Sequence, residues 1–259
     1  MNPEQINPYG GGGDKSRQVE AMFDSIAPAY DFMNTAMTFG MHRHWRDKAL
    51  TMLADRLADM ARFGSAAAPL RLLDVACGTG DVTFRLYDIL GPGIEITGVD
   101  LSAGMLKIAR QKLEKTDAGR QKAISFSQAD CLALPYAADT FDAATVAYGV
   151  RNFSRLADGY AELYRVLKPG GVLCVIELCE PVNPLMRQGY RMYARHIIPA
   201  IGRRISKDSR AYSYLPESIA ACPHRQSMAA LMKSAGFTDI TWRALFPGAV
   251  AIYLATKPL

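Results

Sequence analysis

The sequence predicts an α/β fold: a seven-stranded, mostly parallel sheet with helices on both faces and an antiparallel hairpin at its C-terminal edge. Three observations predict it. From residue 70 onward, short apolar runs alternate with helix-like segments, the pattern of strands joined by crossover helices. The run 70–74 ends in Asp74 and passes through Ala76, Cys77, Gly78, Thr79 and Gly80 to Asp81, so small residues turn a buried strand into a helix N-terminus. A second strand, 94–99, delivers Asp100 about 20 residues beyond Gly80, where an acid can grip ribose hydroxyls.

Taken in order, residues 1–14 carry glycines at 10–13 and read as a flexible tail. Val19, Met22, Phe23 and Ile26 then recur at helical spacing up to Pro28. The segment 15–62 continues through Tyr30, Asp31, Phe32, Met33 and Asn34, and through Phe39, His42, His44 and Trp45. Its aromatics either form a helical lid over a pocket or fasten an extra helix pair to the domain, and both readings stay open. His42 and His44 have no third ligand at metal spacing, so no metal site is expected.

The core follows. A helix over 81–90 leads through Gly-Pro-Gly to the strand 94–99, and Ser102 is placed to cap a helix running to about 115. A strand over 123–128 ends at Asp130 and Cys131, and one over 141–147 runs out at Tyr148, Arg151 and Asn152. The helix 154–167 stops at Lys168-Pro169-Gly170-Gly171, and a strand over 172–178 follows. Residues 180–223 read as an inserted helical region. A helix over 227–235, capped by Gly236, precedes strands 238–245 and 250–256 around Pro247-Gly248. Ligands in such sheets bind beyond the carboxyl ends of the strands, where Asp74 to Gly80, Asp100, Asp130 and 148–152 all fall.

The turn also narrows the ligand. A nicotinamide fold asks for G-x-G-x-x-G with a pyrophosphate at the helix N-terminus, and Asp81 sets a negative charge there. A cofactor carrying cationic groups suits the acids better. Composition excludes other classes: 49% hydrophobic and 21% charged residues describe a soluble globular chain, and no apolar run is long enough to span a bilayer. Five scattered cysteines without C-x-x-C suggest free thiols in the cytoplasm. The net charge of +5 suits an anionic ligand or surface, while basic and aromatic residues are too little interleaved for a nucleic acid partner.

The runs D-V-A-C-G-T-G-D, G-V-D-L-S, A-D-C-L-A-L-P and Y-R-V-L-K-P-G-G resemble class I S-adenosylmethionine-dependent methyltransferases with a Rossmann-like sheet. More narrowly, Y-D-F-M-N with H-R-H-W, then Y-G-V-R-N-F and A-Y-S-Y-L-P-E-S-I, are similar to the ubiquinone/menaquinone biosynthesis C-methyltransferase family. Ala76 departs from the glycine usual at its position.

The resemblance implies a single methyltransferase domain over 15–259 with S-adenosylmethionine as cofactor. Gly78, Thr79 and Gly80 would line its methionine end, Asp100 would hold the ribose, and Asp130 the adenine amino group. Met105 and Cys131 would flank the ring, with core packing as their alternative, and Tyr148 would close the site near the sulfonium. The substrate implied is a reduced polyprenyl quinone, a naphthoquinol on overall resemblance, methylated on a ring carbon.

For that chemistry Arg151 is cast as stabilising a phenolate and Asn152 as orienting it, with a loop-closing salt bridge as the alternative for Arg151. Asp31 and His42 are unranked candidates for the base, and Tyr30 is a further substrate contact. In the insertion, Arg187, Arg191 and Arg195 fall on one helical face, with Tyr190, Tyr193, Ala194 and Ile197 on another, and Ile197 and Ile198 before Pro199 are candidates to line a channel for the tail. They suit either peripheral contact with an anionic membrane surface or solvated arginines over a core stripe. A homo-oligomer is left open. A methyltransferase for another small acceptor and a non-catalytic cofactor-binding scaffold are the competing functions, with a nicotinamide oxidoreductase more distant.

Overall fold

The computed structural model of the protein describes residues 3–11, 13–61, 69–198 and 209–259. Its strands are β1 (Leu70–Val75), β2 (Ile94–Asp100), β3 (Ile124–Gln128), β4 (Phe141–Ala147), β5 (Leu167–Leu178), β6 (Thr238–Leu245) and β7 (Val250–Thr256). They form one sheet in the order β3-β2-β1-β4-β5-β7-β6. The first five run parallel, and β7 lies antiparallel to both β5 and β6. The fold is the expected Rossmann-like class I arrangement. Strand order reverses between β1 and β4, and that switch point opens a crevice at the carboxyl edge.

Side chains alternate across the buried strands, so consecutive apolar residues serve different layers. Leu72 and Ile96 pack with Trp45, Leu50 and Leu53 of α3 (Met41–Ala61) and with Val82 and Leu86 of α4 (Asp81–Leu90). Leu73 and Val146 pack on the other face against Tyr160 and Leu163 of α7 (Leu156–Val166) and Met228 and Met232 of α10 (Gln226–Ser234). A third cluster lies off the sheet. There Met22 and Ile26 of α1 (Lys15–Ile26) and Met33 of α2 (Tyr30–Thr38) meet Met105 of α5 (Ala103–Leu113), Ala194, Ile198 and Tyr214 of α9 (Ser209–Ala221). The two readings of the N-terminal segment therefore apply to different parts of it: most of α3 is core, while α1, α2 and the first turn of α3 roof the crevice.

Three local expectations need correction. The short helix α6 (Ala118–Ala123) was not predicted, because it buries none of its residues and so has no apolar period to read; Asp117 caps it by accepting from the Arg120 amide. β5 begins at Leu167, five residues before the expected 172, with a register shift opposite Phe141 and Ala143. Gly171 permits this, since a Cβ there would stand 2.8 Å from the Lys168 carbonyl oxygen. Nor is the described part of the N-terminal tail loose. Pro3 is buried, its carbonyl accepts from Lys15 Nζ at 2.8 Å, and Glu4 accepts from the Leu156 amide at 2.9 Å.

Candidate active site

Beyond the ends of β1, β2 and β4 lies a cavity with about 700 Å³ of empty space, lined by Ala76, Gly78, Asp100, Met105, Asp130, Cys131 and Tyr148. The turn after β1 makes room for it. Ala76, Gly78 and Gly80 all adopt positive φ, and Cys77 N donates to Val99 O at 3.0 Å. Asp100 closes the far side, with Oδ2 accepting from Gly78 N and Oδ1 from Ser102 N, both at 2.8 Å. A carboxylate offers about four lone-pair sites, so Asp100 keeps capacity for a diol. Burial pushes its carboxyl up to about 6.

Two residues expected at this wall stand behind it. A Cβ on Gly80 would lie 2.9 Å from both Phe126 and Phe84, so Gly80 shapes the turn and does not face the cavity. Thr79 is buried, and its hydroxyl donates to Asp31 Oδ1 at 2.6 Å. Asp74 lies deeper still, accepting from Thr83 and Thr145 at 2.6 and 2.7 Å, and burial lifts its carboxyl to about 6.

That Thr79 bond is part of a latch between roof and turn. Lys112 Nζ lies 2.6 Å from Asp31 and 2.8 Å from Asp81, and Arg46 lies 3.1 Å from Asp81. Asp31 is thus a structural anchor that lines neither cavity, which removes it as a base and as a substrate contact. Asp81 is also no bare charge. Against the upward push of burial, Lys112 and Arg46 hold its carboxyl below the usual range, so it is a weaker argument against pyrophosphate than the sequence suggests.

A second, larger chamber of about 1380 Å³ opens under α1, α2 and the insertion, with walls that include Met33, His42, Trp45, Arg151, Ile198 and Tyr214. Phe23, Tyr30, Tyr148 and Asn152 border both cavities. Tyr148 has φ +57 and a buried hydroxyl with no partner among the described residues, on the wall where the two spaces meet. Its backbone is held from both sides: Tyr148 N donates to Ile176 O at 2.7 Å, and Arg151 Nη1 donates to its carbonyl.

Arg151 is itself buried and paired with Glu177 at 2.9 Å. The salt bridge weighed as its alternative role is therefore present, and its charge is matched before any substrate arrives. Glu177 was missed, although an acid inside the apolar run of β5 signals a buried partner. Lys15 Nζ donates to the carbonyls of Arg151 and Phe153, at 3.3 and 3.1 Å, and fixes the same loop from outside. Asn152 Oδ1 accepts from the Tyr214 hydroxyl at 3.1 Å.

The insertion corrects one more residue. Tyr193 lines the chamber and donates to Met37 O at 2.7 Å; of the two isoleucines expected to line it, Ile198 does so and Ile197, 48% exposed, does not. The stretch Tyr193–Ile197 is π-helical, with Ile198 N bonding back to Tyr193 O. Its wider turn advances the inward face by one residue beyond a 3.6-residue period. Arg191 is also not free for a membrane, since it pairs with Glu180 at 2.7 Å.

The first cavity suits a cofactor with cationic groups, a diol and an amino group. Asp100 and Asp130 supply acceptors, Met105 and Cys131 a soft flat wall, and the orphan Tyr148 hydroxyl a polar contact at the boundary. Glu20 of α1 adds a third acid that the sequence did not suggest.

The model of the ubiE/COQ5 methyltransferase family matches residues 12–257. The chain is 43% identical to the demethylmenaquinone methyltransferase of Porphyromonas gingivalis, over 99% of this chain and 100% of that one. It is 37% identical to the ubiquinone/menaquinone biosynthesis C-methyltransferase UbiE of Stutzerimonas stutzeri, over 94% and 90%. Among solved structures, an S-adenosylmethionine-dependent methyltransferase of Thermotoga maritima superposes with a TM-score of 0.58 at 19% identity, over 92% and 99%, a likeness of fold.

Proposed function

The chain belongs to the ubiE/COQ5 methyltransferase family, and from that premise we propose that it methylates a ring carbon of a reduced polyprenyl quinone, demethylmenaquinol above all. S-adenosylmethionine is the cofactor, and when bound it supplies an electrophilic methyl group. The observation that carries the reading is the shared wall: an acid-lined cavity and a larger chamber meet at Phe23, Tyr30, Tyr148 and Asn152.

Each side has its own task. Asp100 takes the ribose hydroxyls, Asp130 the adenine amino group, and Met105 and Cys131 pack on the ring. Gly78 lets the methionine end approach the backbone. In the chamber, Arg151 and Asn152 stand where the quinol ring would lie. Glu177 and Lys15 hold that loop, so Arg151 serves first to position it and second as a donor to the quinol oxygen. The apolar walls exclude water, which favours a reaction in which a phenolate and a sulfonium neutralise each other.

A long prenyl tail needs an apolar exit. Phe39 lines the chamber and is 79% exposed, and Phe246, next to the lining residue Pro247, is 82% exposed. We assign this rim to peripheral contact with the membrane that holds the quinone. No described helix is long and apolar enough to cross one.

The test is methyl transfer from labelled S-adenosylmethionine to chemically reduced demethylmenaquinol and to demethylated benzoquinol analogues, with products identified by mass. Product on the naphthoquinol is expected. No product on any quinol, with the cofactor still raising the melting temperature, would overturn the reading. A soluble phenol that outcompetes the quinols would favour a different acceptor.

A further inference from the structure

Turning a quinol into a nucleophile requires a group that removes a proton, because a phenol has a pKa of about 10. The chamber offers few. Arg151 is a cation already paired with Glu177, and Asp31 is committed to Thr79 and Lys112 outside the walls. Burial pushes the phenols of Tyr30 and Tyr148 upward, so neither becomes a base.

His42 is different, and its tautomer can be read from its neighbours. Nδ1 lies 2.7 Å from Thr38 Oγ1. The single proton of that hydroxyl is already donated to Asn34 O, also at 2.7 Å. Thr38 can therefore only accept from the ring, so Nδ1 carries the hydrogen and Nε2 keeps its lone pair. The His42 amide also points at the same oxygen, at 3.4 Å. The hydroxyl thus has every valence engaged, and the imidazole is held in one orientation on the chamber wall.

We propose that His42 is the general base of this enzyme, its Nε2 accepting the proton of the quinol hydroxyl beside the carbon to be methylated. The inference rests on the quinol reading above and names the residue that reading lacks. The step balances. The O–H bond breaks with its electron pair left on oxygen and its proton on Nε2. The ring carbon would then bond the methyl group as the methyl–sulfur bond breaks, its electron pair returning to sulfur so that S-adenosylhomocysteine leaves neutral; the ring C–H proton goes to water as aromaticity returns, and His42 gives its proton back to the oxygen.

Burial holds the His42 imidazolium below its ordinary pKa, helped by Arg46 and Arg43 on its own helix and opposed by Asp81 and Asp31 across it. Arg151 shares the chamber. The ring is neutral at neutral pH and ready to accept. Thr38 is a positioning residue.

Three measurements test this. In protein carrying ¹⁵N-histidine, long-range NMR correlations should show the Nδ1–H tautomer of His42 without any ligand; an Nε2–H tautomer would overturn the proposal. A nitro-substituted 1-naphthol, whose anion absorbs at longer wavelength, should bind to wild type as the anion at neutral pH. His42→Gln should cut the bound anionic fraction about tenfold and lower kcat about a hundredfold or more, with S-adenosylhomocysteine binding and melting temperature kept. A His42→Gln enzyme within about threefold of wild type would also overturn it.

Thr38→Val keeps the base but frees its tautomer. It should give a mixed NMR signature and a kcat loss of about tenfold, which a purely structural threonine would not produce. Should wild type methylate no quinol, the quinol reading fails, while the tautomer and the naphthol spectrum still decide whether His42 accepts a proton.

Discussion

The two halves of the site are built by different means. The cofactor cavity has its floor in loops that leave parallel strands, each fixed by the register of the sheet, and α1 closes it from above: Asp74, behind the floor, lies beside Gly98 and Thr145, and Asp100 beside Gln128. The acceptor chamber is walled mostly by helices from opposite ends of the chain, α1 to α3 and the insertion, which meet in a cluster separate from the sheet, with the loop 148–152, the end of β5 and the turn after β6 closing its base. A sheet edge positions residues through backbone hydrogen bonds. The chamber relies on side-chain packing, which tolerates more variation. One half therefore suits a constant cofactor, and the other can be reshaped for the substrate.

The sharpest way to break this contrast is at the seam. Arg151→Ala leaves Glu177 as a buried, unmatched charge and should destabilise the fold by about 3–5 kcal/mol, read from urea midpoints, besides lowering methyl transfer. Arg151→Met with Glu177→Leu should recover most of the stability and not the activity. Recovery of both would make the pair purely structural.

Acidity probes the cofactor half. Asp74 and Asp100 have folded values raised to about 6 from 3.8, so between those values the folded protein binds more protons than the unfolded chain. Stability should therefore fall as pH rises from about 4 to about 6, and then level, by no more than about 3 kcal/mol for either carboxyl. Asp74→Asn should flatten the slope. Cofactor affinity should run the other way, weakening by up to about tenfold per unit below pH 6, as Asp100 takes up the proton that blocks an acceptor site.

The chamber half is tested in the π-helical turn. Ile198→Ala should cost about 2 kcal/mol of stability and weaken quinol binding, while Ile197→Ala should stay within about 0.5 kcal/mol. Equal effects would mean an ordinary helical register. Smallest of all, Tyr148→Phe removes a buried hydroxyl that has no partner among the described residues and should leave the free protein as stable or about 1 kcal/mol more so. Its cost should appear only with ligand bound, in calorimetric titrations.

This division also explains what the sequence made legible. Strands of the core announce themselves by apolar runs, and the acids at their ends by standing where a buried run stops, so Asp100 and Asp130 could be found with the fold. Contacts between distant helices leave no such period. Asp31 looks like a base until Lys112 and Thr79 are seen to hold it, and His42 could not be ranked before the Thr38 to Asn34 hydrogen bond was known. Thr79 and Gly80 belong to the right turn but point away from the cavity, a distinction that depends on Phe126 and Phe84 behind it. Of the two isoleucines expected to line a tail channel, only Ile198 does, because a π-turn does not follow the period that places Ile197 on the inward face.

Two cavities that share a wall at Tyr148 should be filled together. Calorimetric titration of S-adenosylhomocysteine, with and without a short-tailed demethylmenaquinone already bound, tests it most directly. A ternary complex is expected, with each ligand binding in the other's presence at an affinity within about tenfold of its own. Mutual exclusion, with each ligand competing for a single site, would contradict it.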